Sequence, residues 1–301
     1  MATSSFASYR PSGRFQPLTL ALFAAAIVAG AGAAWLYQLL MTWTPYIYVN
    51  VMLCVFFGAG LGAAGALAVR RGHCRNRVLA LALAVPLALA GVAASYYWAY
   101  RSTLSAIADK NPGTPIEAIR DEVTFERWID ARKEAGWTMT SSHSTPSRRD
   151  SPDISGVGVL VIWAIEALIL LGMTGLLVNA EAAKPYCERC GRWCTPKPLS
   201  LGGLGRADVE HAVQLGDLMP LVDIAVRGDG DPARSLLLTG NVCDGCSETA
   251  FLSVDEKTTT QRKKKTSVKS VNLIKHALLT PEQRAAFVHR YNFAVGQKLA
   301  A

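Results

Sequence analysis

From Phe15 to Val69 the chain carries no charged residue. A bilayer core is crossed by about 20 apolar residues in a helix, so this run is too long for one crossing. An amphipathic helix of a soluble domain would show a charged face, and this run offers none. It therefore predicts membrane-spanning helices. The first acidic residue, Asp109, appears only beyond the third of them. Half of the 301 residues are hydrophobic, and the length allows two modules, one in lipid and one in water.

Polar punctuation divides the apolar stretch. Residues 1–16 are Ser-rich, carry Arg10 and Arg14, and read as a disordered start with a positive flank. The first span covers residues 17–41. A cleaved signal peptide is its rival, because Gly30–Ala34 supplies small residues. The run continues through Trp35 to Met41, past a signal peptide's apolar region, and favours a retained span. Thr42–Tyr46 is an uncharged turn with interfacial aromatics. The second span covers 47–69. The third covers 78–100, holds Pro86 and ends in the aromatic belt Ser95–Tyr100. The fourth covers 154–178. Ala26, Gly30 and Ala34 recur every fourth residue, as do Gly58, Gly62 and Ala66, the spacing that lets helices approach closely in lipid.

Arg70, Arg71, Arg75 and Arg77 crowd the connection between the second and third spans. Such a short basic loop faces the cytoplasm. Four spans then put both termini in the cytoplasm, in a plasma membrane or a bacterial inner membrane. The loop 101–153 holds eight basic and nine acidic residues, shows no positive bias, and falls outside. Within it, Thr114-Pro115-Ile116-Glu117 has the form of a capped helix start, and Ile116, Ile119, Val123 and Trp128 follow near helical spacing. An amphipathic helix over 115–135 is predicted, packed over the bundle, with Thr138–Asp153 as a Ser/Thr/Pro-rich linker.

Glu166 is the one ionisable acid inside a span. A carboxylate at that depth needs protonation, a partner or water. Tyr37, Gln38, Asn50 and Ser95 are the candidate partners. A structural hydrogen bond is favoured over a small channel or transporter centred on Glu166, because no second intramembrane charge accompanies it.

Five of the seven cysteines fall in residues 179–301. A cytoplasmic tail is reducing, which disfavours disulfides. Cys187-Glu-Arg-Cys190-Gly191 and Cys243-Asp-Gly-Cys246 are two thiolate pairs, and four thiolates suit the tetrahedral preference of structural zinc. The gap between the pairs exceeds the usual spacing and must hold an insertion, Pro196–Asn241. Cys194 is a possible additional thiol. A membrane thiol-redox protein or sensor using these cysteines is the alternative. It is disfavoured because neither pair follows an apolar strand into a helix.

In the insertion, Arg206–Leu215 reads as a helix, Met219–Val226 as an apolar element, and Gly228–Pro232 as a turn rather than a calcium loop. Ser235–Val242 and Ala250–Val254 read as strands flanking the second pair, Val268–Ile274 as a third strand, and Thr280–Gln283 as the capping box of a last helix ending near Phe293. Arg262–Lys265 reads as a solvated basic loop; contact with anionic lipid head groups comes next and, without interleaved aromatics, nucleic acid last. No nucleotide-binding, zinc-protease or nucleophile-elbow motif occurs.

The resulting expectation is an all-α four-helix transmembrane bundle followed by a small cytoplasmic α+β zinc-ribbon-like domain. Little apolar core is expected in the tail, so zinc would fix its fold. The function expected is a non-enzymatic binding or regulatory module, with the lipid bilayer and a cytoplasmic protein as partners. The residues name neither that protein nor an oligomeric state.

Overall fold

A computed structural model describes residues 6–44, 46–138, 153–154, 156–202, 206–223, 234–246, 248–262 and 265–300. The linker over 138–153 and the turn Gly228–Pro232 fall largely outside these residues, as do Lys263 and Lys264 of the basic run. The chain divides into two compact units. One is Gly13–Ala182; the other joins Met1–Ser12 with Ala183–Ala301.

Four helices of the first unit are long and apolar enough to cross a membrane. They are α1 (Leu18–Trp43), α2 (Ile47–Arg71), α3 (Arg77–Lys110) and α6 (Val157–Ala182). α2 packs against α1 and α6, and α3 packs against the same two, which closes a four-helix arrangement. Glycine makes the tightest approaches. A Cβ on Gly62 would lie 3.0 Å from Leu177 Cβ and 3.1 Å from the Met173 carbonyl oxygen. Gly58 faces Leu170 and Met173 equally closely, and Ala26, Gly30 and Ala34 are buried along α1. Ala66 is only half-buried; Gly65, one residue earlier, takes the close contact with Val178. Gly62→Val should therefore lower the thermal midpoint, at a cost of about 1–3 kcal/mol of overpacking. Gly60→Val is the control, because a Cβ there meets nothing within 4 Å. Equal midpoints for the two variants would refute the packing role.

The basic connection is compact. Arg70 and Arg71 end α2, Arg77 opens α3, and Asn76 caps α3 by accepting from the Leu79 N–H at 3.0 Å. Thr19 at the start of α1 donates to the Gly72 carbonyl at 2.9 Å, and Arg77 donates to Asn179 near the end of α6. One end of the bundle thus gathers the arginines.

At the other end α3 runs ten residues past the expected limit of 100, to Lys110. The extension is held from outside. α4 (Ile116–Glu122) and α5 (Phe125–Ala135) cover it, burying Tyr100, Leu104, Ile119 and Trp128 together. The helix predicted over 115–135 is therefore two. Tyr100 donates to the Val123 carbonyl at 2.7 Å, and Thr124 restarts the chain as the N-cap of α5, accepting from the Arg127 N–H. Thr114 does not cap α4. Beyond α5, β1 (Trp137–Thr138) pairs with β2 (Asp153–Ile154).

The second unit is α+β. β3 (Tyr186–Cys187) and β4 (Arg192–Trp193) form a minimal hairpin. An antiparallel sheet follows in the order β5 (Thr195–Gly202), β6 (Arg234–Val242), β7 (Ala250–Arg262), β8 (Lys265–Leu278). β5 occupies the start of the insertion Pro196–Asn241, where no element was expected. Pro196 and Pro198 conceal it, and its edge position is where a strand tolerates proline. β7 and β8 pair out to Arg262 and Lys265, beyond the last rung of β6 at Thr258. Arg262 and Lys265, the outer residues of the expected basic loop, thus end one strand and begin the next.

α7 (Arg206–Leu215), α8 (Met219–Asp223) and α9 (Pro281–Ala300) pack with the sheet around a core of Val209, Leu221, Leu236, Leu238, Leu252 and Phe287. This corrects the expectation of little apolar core. Each strand contributes only a few apolar residues, but four strands and three helices aim theirs at one layer. Phe287 stands over Gly240: a Cβ there would lie 2.2 Å from its Cε1. The capping box is formed as read, with Gln283 N–H donating to Thr280 Oγ1 at 3.2 Å and Thr280 N–H to Gln283 Oε1 at 3.0 Å. Residues 6–12, part of the segment expected to be disordered, join the unit. Leu278 N–H donates to Ala7 O and Tyr9 N–H to His276 O, while the Tyr9 ring packs edge-on to Phe251 at 5.0 Å.

Candidate metal centre

Each cysteine pair sits in a turn that its own sequence dictates. In the first, Cys187 and Arg192 are cross-strand partners, and Gly191 adopts φ 64°, a conformation that glycine enters without a steric penalty. The Gly191 N–H closes the turn on the Cys187 carbonyl at 3.0 Å. Tyr186 and Trp193 brace the hairpin edge-to-face at 5.1 Å. In the second, Val242 and Ala250 are the last β6–β7 rung, and the Cys243 N–H donates to the Thr249 carbonyl at 3.1 Å. Gly245 keeps the turn open: its N–H points to Cys243 Sγ at 3.4 Å, and a Cβ there would sit 3.3 Å from Cys190 Sγ.

These two turns bring together Cys187, Cys190, Cys243 and Cys246, whose sulfurs all lie within 4.8 Å of one another. Cys187 Sγ and Cys246 Sγ are 3.8 Å apart. Four sulfurs at ~2.3 Å from one tetrahedral ion would lie about 3.8 Å from each other, so the cluster needs only slight contraction around an ion. The donor set is soft and uniform, which suits zinc. Cys187 and Cys243 are buried while Cys190 and Cys246 are half-buried, so one side of the cluster is open to an entering ion. The backbone N–H groups of Glu248 and Thr249 pull the Cys246 thiol down to about 6. The shift favours the thiolate, the form that binds metal.

α9 supports the second turn. Arg284, one helical turn before Phe287, donates to the Cys246 carbonyl at 2.9 Å and the Cys243 carbonyl at 3.3 Å. Nothing in the spacing of cysteines points to Arg284; its place three residues before a core phenylalanine on a capped helix was the available signal. Thr249 was also missed, and Cys187 donates to its Oγ1 at 3.4 Å. Arg189 pairs with Glu248 across the site, but both are exposed and such a pair adds little.

Cys194 lies outside the converging group. It is 5 % exposed, packed with Phe251 and the four clustered cysteines. Burial first, then the neighbouring thiolates, push it up to about 12, so it is a neutral thiol. Neither cysteine pair stands between a strand and a following helix: the first lies within the β3–β4 hairpin and the second between β6 and β7.

Glu166 is a separate feature of the helical unit. Its Oε1 accepts from Tyr37 at 2.7 Å and its Oε2 from Tyr96 at 3.0 Å. Tyr37 was among the named candidates. Ser95 instead donates to the Val92 carbonyl, and Asn50 accepts from Thr44. Tyr96 had been read only as part of an interfacial belt.

No family model matches this chain, and no curated protein and no solved structure matches it.

Proposed function

We propose that the chain is a multi-pass integral membrane protein carrying a cytoplasmic zinc-ribbon-like module, and that its role is binding rather than catalysis. The convergence of four cysteine sulfurs from two turns is the observation that carries this reading. Zinc holds the β3–β4 hairpin to the β6–β7 turn. The surface formed around the joined turns is what a cytoplasmic protein partner would recognise. Redox chemistry fits less well, since the pairs occupy β-turns and the fifth thiol is buried.

Two observations support placing both ends of the chain on the cytoplasmic side. Arg70, Arg71, Arg75 and Arg77 collect at one end of the helical unit, where the positive-inside rule places the cytoplasm. The pairing of Ala7 and Tyr9 with β8 fits a reading in which the residues before the first span and those after the fourth share one compartment, as an even number of spans would require. A protease-cleavable tag after Ala301 tests the orientation. It should resist protease added to right-side-out vesicles and be removed from inside-out ones. Cleavage from the outside would overturn it.

A further inference from the structure

The helical unit contains a cavity that the metal reading leaves unused. Its volume is about 340 Å³, within the range of small-molecule sites, and its walls include Gln38, Asn50, Tyr96, Trp163, Glu166 and Arg132. A second cavity of about 580 Å³ adjoins it, sharing Gln38, Trp128 and Arg132. α1, α2, α3 and α6 all contribute lining residues to the smaller cavity, and α5 adds Trp128 and Arg132.

The smaller cavity is lined by one acidic and one basic side chain. Glu166 is half-buried in α6, and Arg132 is exposed on α5. Each Glu166 oxygen already accepts one phenol hydrogen bond and retains a further acceptor site. Arg132 offers a fork of N–H donors suited to a carboxylate. The same cavity is lined by the neutral amides of Gln38 and Asn50 and by the rings of Tyr96 and Trp163, which meet edge-on at 5.3 Å. Aromatic walls of this kind favour an ammonium near a carboxylate.

We propose that this cavity binds a small zwitterion of the amino-acid type, its ammonium at Glu166 and its carboxylate at Arg132. A simple cation would be repelled by Arg132, and a simple anion by Glu166. A divalent metal favours several charged oxygen ligands, and here only one carboxylate lines the cavity, already holding two tyrosines. A zwitterion satisfies both walls with no net charge added to a site within the apolar helices.

The test uses the full chain in lipid nanodiscs. Free L-amino acids covering each side-chain class are titrated while tryptophan fluorescence and the thermal midpoint are followed, because Trp128 and Trp163 line the cavities. The matched amine and the matched carboxylic acid of any responding amino acid are the controls. At least one amino acid should quench saturably and raise the midpoint, and each control should bind about tenfold or more weakly, as loss of a charged hydrogen bond implies. Glu166→Gln and Arg132→Gln should each weaken binding by a similar factor. Arg132 is exposed, so its variant folds and decides the matter even if the Glu166 variant does not. The proposal is overturned if no amino acid binds saturably, if the amine or acid alone binds as tightly, or if Arg132→Gln binds as the parent does.

Discussion

Cys243→Ser should abolish stable zinc binding while leaving most of the tail's strand content in place. One of four thiolates is lost, and a serine hydroxyl is a poor replacement for a soft ligand. Structural zinc sites are worth on the order of 10 kcal/mol or more, so the variant should lose its metal to a mild chelator that leaves the parent loaded. The position of the apolar core limits the damage. Leu236, Leu238, Leu252 and Phe287 are fully buried away from the cysteines, and they hold β6, β7 and α9 together without the ion. The thermal midpoint should fall, and the far-ultraviolet circular dichroism below it should change little. Complete unfolding of the tail in Cys243→Ser would mean that the core alone cannot sustain the sheet.

Phe287→Ala should produce the opposite loss, with the metal ligands untouched and the core broken. A buried phenylalanine cut to alanine costs about 3–5 kcal/mol, a large part of a small domain's stability. The ring lies on Gly240, whose missing side chain is what admits it. Gly240→Ala should therefore also destabilise, by about 1–3 kcal/mol, because a methyl group drives the ring from its place. In the double variant the ring is absent and the added methyl has room. The two costs should then be clearly less than additive, and a double-mutant cycle by urea unfolding measures the difference. Additive costs would show that the ring and the glycine do not meet.

What could be read beforehand followed the strength of local patterning. The four long helices are legible because charge disappears over whole spans, and the cysteine pairs because CxxC-Gly and CxGC each encode a turn. The capping box at Thr280 and the helix at Arg206 were equally local. β5 was hidden by Pro196 and Pro198. The outer halves of β7 and β8 were hidden because Lys257–Arg262 and Lys265–Ser270 are mostly polar on both faces, which leaves little period-two apolar signal. Other features depend on distant partners. Val123 breaks a helix because Tyr100 takes its carbonyl, and Tyr96 joins Tyr37 on Glu166 from a different helix. Neither relation leaves a mark within a window of neighbouring residues. The same is true of Ala7–Tyr9, which look like a polar tail until β8 is present to pair with them.

Metal content measured together with thiol accessibility, on the full chain purified without chelator or added metal, tests the central claim most directly. About one zinc per chain is predicted, with Cys187, Cys190, Cys243 and Cys246 protected from a thiol reagent until the ion is stripped and reactive afterwards. Protein that is folded, free of metal, and has these four thiols reactive from the outset would contradict a structural zinc centre.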